Sequence, residues 1–288
     1  MQLKGIIIKG IGGFYYVKAS HNVYECKARG VFRKERITPM IGDAVTIEVK
    51  NGKGSVTEIM PRSSSLVRPP VANIDTIMIV IAAAEPDPSL ELIDKMLVNA
   101  EISGIKPAIC INKTDLKGRE DIEEIYNKAG YDVFAVSAEK NIGTDELFDY
   151  LTGKTTAFAG LSGVGKSSLL SLITDDTLET GEISEKIRRG RHTTRHVELF
   201  ELKSGGFVLD TPGFGQLEVE GIKADELWRC FPEMADSQGK CRFRGCAHIN
   251  EPDCYVKDKL EKGEIAPSRY ESYKNMYEKL KQIKDWEK

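Results

Sequence analysis

Residues Gly160-Leu-Ser-Gly-Val-Gly165-Lys166-Ser167 match the pattern G-x-x-x-x-G-K-S/T and lie between a short apolar run and a helical one. Glycines there let the backbone curl until successive N–H groups point inward at an anion, and the helix opening at Lys166 adds the field of its N-terminus. In that geometry Lys166 bridges the outer phosphates of a nucleoside triphosphate and the Ser167 hydroxyl ligates Mg2+. Leu161, Ser162, Gly163, Val164 and Ser168 complete the run expected to touch the phosphates.

Asn112-Lys113-Thr114-Asp115 comes directly after an apolar run ending at Ile111. A carboxylate at Asp115 can accept from both the ring N–H and the exocyclic amine of guanine. Adenine offers no such donor pair, so it would leave the carboxylate unpaired. Asn112 and the Lys113 stem are expected to brace the loop and cover the base. Ser137-Ala138, after the run Val133–Val136, fits an accessory loop whose backbone N–H reaches the base oxygen. Together these residues point to GTP and GDP as ligands.

Asp210-Thr-Pro-Gly213 ends another apolar run, a setting in which the carboxylate holds Mg2+ through water and the Gly213 N–H meets the γ-phosphate. Loss of that phosphate would release the loop. The basic stretch from Lys186 to His196 stands where the other switch belongs. By similarity to GTPases with a threonine directly before an arginine, Thr194 is the expected sensor of Mg2+ and the γ-phosphate. Phe214 occupies the place where Ras-like enzymes carry a water-orienting glutamine, and its ring cannot hydrogen-bond to water. His192 and His196 are therefore the candidates for the missing polar group, acting beside Lys166, Thr194 and Gly213.

The order of these motifs is permuted. Ras-like GTPases begin with the phosphate loop and reach the guanine loop near the end, whereas here Asn112–Asp115 and Ser137-Ala138 precede Gly160–Ser167, Thr194 and Asp210–Gly213. The chain consequently leaves the nucleotide-binding core directly after a switch, tethering that switch to the C-terminal part. The C-terminal part contains Cys241-x4-Cys246-x-His248-x5-Cys254, three thiolates and an imidazole. That is a closed tetrahedral set for structural Zn2+. Cys230 falls outside the spacing, and Cys26 and Cys110 read as small buried apolar residues.

The elements that must position these residues fall into three parts. In residues 1–68, twelve Lys/Arg face five Asp/Glu, while the whole chain of 288 residues carries a net charge of −3. That basic part alternates short β-rich runs, Leu3–Lys9, Phe14–Lys18, Val23–Ala28, Ala44–Val49 and Ser55–Ile59, with turn signals. Five short strands suggest a small barrel of OB or SH3-like type. Pro61–Pro70 reads as an exposed linker. Residues 69–218 alternate buried strands (Ile77–Ala82, Lys106–Ile111, Val133–Val136, Thr155–Ala159, Val197–Leu202, Gly206–Leu209) with helices near Ser89–Ser103, Asp121–Gly130, Thr144–Leu151 and 168–174, an α/β nucleotide-binding layout. Residues 219–288 hold the Cys/His cluster and a Lys/Glu/Tyr-rich helix, Tyr270–Lys288. No apolar run approaches the ~18 residues of a membrane span or the core of a signal peptide, so a cytoplasmic protein with no membrane partner is expected.

The combination resembles the family of ribosome small subunit-dependent GTPase A (RsgA), circularly permuted GTPases of bacterial ribosome maturation. The likeness rests on the basic β domain, Asn112–Asp115 before Gly160–Ser167, the Gly190-Arg-His-Thr-Thr194 stretch, Asp210–Gly213, and Cys241 to Cys254 with Arg269-Tyr270 beyond it. The resemblance implies a multidomain α/β protein: an OB-type β-barrel, a permuted Ras-like core and a zinc-binding helical domain. It also implies a monomer that binds the small ribosomal subunit and its rRNA, with GTP hydrolysis stimulated there in late assembly. The alternative is a GTP-regulated RNA-binding module with negligible turnover.

Overall fold

The computed structural model describes residues 1–34, 37–50, 52–66, 69–174, 197–211 and 218–282. The chain forms two compact units, each assembled from several stretches of sequence.

The first unit (Met1–Ile77, Phe148–Phe158, Lys166–Thr211) carries a closed barrel of β1 (Gln2–Ile11), β2 (Phe14–Ala19), β3 (Asn22–Ala28), β4 (Ala44–Lys50) and β5 (Lys53–Ile59). The order is β1-β2-β3-β5-β4, and it closes because β1 pairs antiparallel with both β2 and β4. β3 and β5 run parallel, and a short helix α1 (Gly30–Lys34) comes after β3. This connectivity settles the open choice of barrel in favour of the OB type. Inward positions alternate along the strands and supply Ile7, Val17, Cys26, Val45, Ile47 and Val56 to the core.

The segment expected to be an exposed linker is partly built into this unit. Arg62 forms a two-pronged ion pair with the fully buried Asp43, Nε to Oδ1 at 2.7 Å and Nη2 to Oδ2 at 2.9 Å. β6 (Ser65–Leu66) pairs with β7 (Val71–Ala72), and Leu66 is buried. Proline and serine signal a turn, but they do not reveal that an arginine among them has a buried partner.

The same unit contains β11 (Thr155–Ala159), α5 (Lys166–Ile173), β12 (Phe200–Glu201) and β13 (Phe207–Asp210). β13 runs parallel to β11 and antiparallel to β12. The strand expected over Val197–Leu202 is shorter in the sheet because its first residues bond to the barrel instead, with the Leu199 N–H donating to the Ile8 carbonyl at 2.8 Å.

The second unit (Met78–Leu147, Ala159–Gly165, Pro212–Lys288) takes in most of β8 (Thr76–Ala82), together with α2 (Leu90–Ile102), β9 (Lys106–Asn112), α3 (Glu120–Lys128), β10 (Asp132–Ala135) and the start of α4 (Thr144–Leu151). Every residue of β8 is buried, as expected of a strand covered on both faces. Within this unit β10 runs parallel to β9, with Asp132 beside Ala108 and Ala135 beside Ile111. Beyond the sheet the chain makes a 3-10 helix (Ala224–Cys230), α6 (Pro232–Ala235), α7 (Tyr255–Glu261) and α8 (Pro267–Gln282). These pack around Leu227, Phe231, Met234, Cys254, Ile265, Tyr273 and Met276, with Val98 of α2 joining the same cluster. Among the described residues no helix is long and apolar enough to cross a membrane.

Candidate nucleotide site and metal centre

β9 delivers Asn112 at its buried end, 2% exposed. The side chain ties three loops together: Nδ2 donates to the Val164 carbonyl at 3.0 Å and Oδ1 accepts from the Ala138 N–H at 3.0 Å. Lys113 turns the chain with φ +65 and donates from Nζ to the Glu85 carbonyl. The turn leaves Asp115 exposed, and the buried Ser137 hydroxyl donates to its Oδ1 at 2.5 Å. Ser137 Oγ also accepts from the Lys140 N–H at 3.1 Å, so the hydroxyl is aimed from both sides. A carboxylate oxygen has two lone pairs, so Oδ2 and the rest of Oδ1 remain available for two donors on one edge of a base.

The phosphate loop begins where β11 ends. Gly160 has φ +143, and a Cβ there would collide with the Val80 carbonyl oxygen. Gly165 has φ +93, and a Cβ there would run into Asn112 Nδ2. Glycine is required at both places by backbone angle and by space. The next residues, Lys166 and Ser167, open α5 and are half-buried.

Within the first unit, Thr211 holds the end of β13 beside β11 through its N–H and its Oγ1, which donate to the Phe158 carbonyl at 3.0 and 2.8 Å. Asp210 thereby ends its strand with Oδ1 buried and without a hydrogen-bond partner among the described residues. Burial pushes the Asp210 carboxyl up, against the pull of Lys166 and of the Thr211 N–H. Burial likewise lowers Lys166 below the usual lysine range, against the pull of Asp210. An orphaned buried carboxylate oxygen near a desolvated ammonium suits a site completed by a hydrated cation and an anion. Thr194, Gly213, Phe214, His192 and His196 lie outside the described residues.

The metal centre is compact. One ligand atom each from Cys241, Cys246, His248 and Cys254 falls within 4.8 Å of all the others. His248 Nδ1 is 3.6 Å from Cys241 Sγ and 3.4 Å from Cys254 Sγ. Tetrahedral zinc, with bonds of ~2.3 Å to sulfur and ~2.0 Å to nitrogen, requires N···S edges of ~3.5 Å, so the donor set fits that ion. Nδ1 would thus be the ligating nitrogen, while Nε2 faces Ser237 Oγ at 3.4 Å. The loop is fixed from outside: Tyr270 and Tyr273 hydroxyls donate to the carbonyls of His248 and Ala247, each at 2.7 Å. Glu251 accepts from the N–H groups of Ala247, Ile249 and Asn250.

Several participants carry no local sequence signal. Ser237 and the Glu85 carbonyl are two. A third is Arg269, fully buried on α8, which bonds Glu233 through Nε and Nη2 at 2.7 and 3.1 Å and Asp94 of α2 through Nη1 at 2.6 Å. Burial works against its charge, but Asp94 and Glu233 hold the guanidinium protonated.

The family description RsgA GTPase matches residues 59–220, and RsgA N-terminal domain matches residues 4–56. The chain belongs to the RsgA family. The small ribosomal subunit biogenesis GTPase RsgA of Alkaliphilus metalliredigens is 49% identical over 285 residues, covering 96% of this chain and 98% of its own. The RsgA of Ruminiclostridium cellulolyticum is 49% identical over 291 residues, covering 98% of this chain and 95% of its own. Among solved structures, YjeQ from Thermotoga maritima superposes with a TM-score of 0.84 at 35% identity, covering 99% of this chain and 100% of its own. YloQ, described as a circularly permuted GTPase, gives a TM-score of 0.82 at 39% identity, covering 99% of this chain and 96% of its own. The permuted motif order and the closed barrel expected of an RsgA protein are both present.

Proposed function

We propose that this RsgA protein binds GTP at Asn112–Asp115, Ser137-Ala138 and Gly160–Ser168 and hydrolyses it in response to the small ribosomal subunit during late assembly. The observation that carries the reading is the Ser137 hydroxyl aimed at Asp115 Oδ1, which presents the carboxylate for the two donors of guanine. Asn112, bonded to Val164 and Ala138, keeps that carboxylate in register with the phosphate loop.

Catalysis is positioning and charge stabilisation. Backbone N–H groups of Gly160–Gly165 cradle the phosphates, and Lys166 compensates charge on the γ-phosphate. Ser167, Thr194 and Asp210 would hold Mg2+, which would supply positive charge against the triphosphate. Gly213 senses the γ-phosphate. Phe214 cannot orient water, so the intrinsic rate is low and His192 or His196 takes that role on the ribosome. The four ligands of the metal centre hold one structural Zn2+. Functionally the chain divides at 1–68, 69–218 and 219–288. The basic barrel contacts rRNA, and the protein acts as a cytoplasmic monomer.

Co-sedimentation of the full chain with purified small subunits tests the reading. Retention with a non-hydrolysable GTP analogue and release with GDP are expected. Equal retention with GTP analogue, GDP and ATP would contradict it.

A further inference from the structure

β1 carries a bulge. Ile7 pairs with Val17 and Lys9 with Tyr16, so Ile8 is the extra residue on its strand. A bulge leaves backbone groups without their ladder partners and re-aims the side chains beside it. Here the Ile8 carbonyl is taken by the Leu199 N–H at 2.8 Å, so residues just ahead of β12 are bonded along the barrel. Two ion pairs flank that seam: Lys9 Nζ to Glu198 Oε2 at 2.8 Å and Lys18 Nζ to Glu201 Oε2 at 2.6 Å. Two cations of a strongly basic barrel are thereby covered by two carboxylates from a distant part of the sequence.

The backbone bond at Leu199 anchors the segment whether or not the side chains pair. All four side chains keep access to water, with 27% and 29% of Lys9 and Glu198 exposed and 22% and 49% of Lys18 and Glu201. Partly exposed pairs of this kind are weak and salt-screened, whereas a phosphodiester strand that takes over a lysine also releases condensed counterions.

We infer that Glu198 and Glu201 are an intramolecular stand-in for RNA phosphates: they occupy Lys9 and Lys18 in the free protein, and a single-stranded RNA segment displaces them. The inference rests on the reading that the barrel contacts rRNA. Only side chains exchange, and the Ile8–Leu199 seam persists.

The test uses the full chain and a fluorescein-labelled oligouridine titrated across a salt series. Glu198→Gln with Glu201→Gln is expected to tighten binding at low salt about threefold or more and to steepen the slope of log affinity against log salt by about 1, since each single-strand phosphate neutralised contributes ~0.7. The same charge change on α3, Glu123→Gln with Glu124→Gln, leaves the slope as it was. Adding Lys9→Met and Lys18→Met to the first variant abolishes its gain. An unchanged slope, a gain matched by the α3 variant, or a gain that survives loss of both lysines overturns the inference while leaving RNA binding intact. Absence of oligouridine binding by every variant overturns the RNA reading of the barrel, and the inference with it.

Discussion

Asn112 and Val164 stand 52 residues apart in the sequence, and the side chain of the first donates a 3.0 Å hydrogen bond to the carbonyl of the second. The loop at Asn112–Asp115 and the loop at Gly160–Gly165 are therefore one hydrogen-bonded object, and the geometry of each depends on the other. Motif order along the chain is immaterial to that bond, so permutation leaves the two loops joined.

Removing the Asn112 side chain leaves the buried Val164 carbonyl and the half-buried Ala138 N–H without their partner. Each such loss is worth roughly 1–3 kcal/mol. Asn112→Ala is expected to weaken GTP and GDP alike by about tenfold or more while preserving preference over ATP, as read by fluorescent-nucleotide titration. Retained affinity for both would show that the loops keep their places without Asn112.

We propose that base selectivity lies with Asp115. Asp115→Asn exchanges an acceptor pair for a mixed acceptor and donor, so GTP affinity should fall by on the order of 10²–10⁴ and xanthosine triphosphate should be gained. Ser137→Ala, which only frees the carboxylate to swing, should lower GTP affinity by much less. Competition binding with the three nucleotides measures both variants. Undiminished GTP selectivity in Asp115→Asn would reassign the base-reading residue.

The metal centre makes a pH-dependent prediction. Burial pushes the Cys246 thiol up to about 12 and raises Cys254 as well, so both are protonated at neutral pH before metal binds. Each must lose its proton to ligate, so zinc binding to the stripped protein should release about two protons from these thiols, and affinity should fall as pH falls. Titrating zinc into weakly buffered protein while recording pH measures the release. Binding without proton release would exclude thiolate ligation.

Among the described residues Arg269 is the cation that bonds both Asp94 and Glu233, with side-chain exposures of 1%, 0% and 3%. Arg269→Met leaves two carboxylates facing each other in the interior, a change expected to cost about 3–5 kcal/mol. Arg269→Lys should recover only part, since an ammonium cannot reproduce the planar fork that serves both acids. Denaturant unfolding reads the difference, and equal stability of all three forms would remove Arg269 as the pin between α2 and α8.

The parts of this protein legible in sequence are those whose chemistry is local. The phosphate loop, Asn112–Asp115 and the Cys241–Cys254 spacing each place their atoms through a few consecutive residues, so residue type and interval suffice. The barrel strands were legible because alternation has a period of two, although OB and SH3-like closures share it and the choice needed the β1–β4 pairing. Arg269 stood out only as part of a resemblance, because Asp94 lies 175 residues away. Ser237 gave no signal, since a serine beside a metal ligand looks like any serine. The Pro61–Pro70 stretch misled for the same reason, its arginine being held by a buried aspartate nineteen residues earlier.

The protein is expected to turn over GTP under the control of the small ribosomal subunit. Steady-state phosphate release by the full chain, measured with GTP alone and with purified small subunits, tests it most directly. Slow release alone, a large stimulation by the subunit, and loss of that stimulation in Lys166→Ala are expected. A rate that small subunits leave unchanged, with GTP bound, would contradict it.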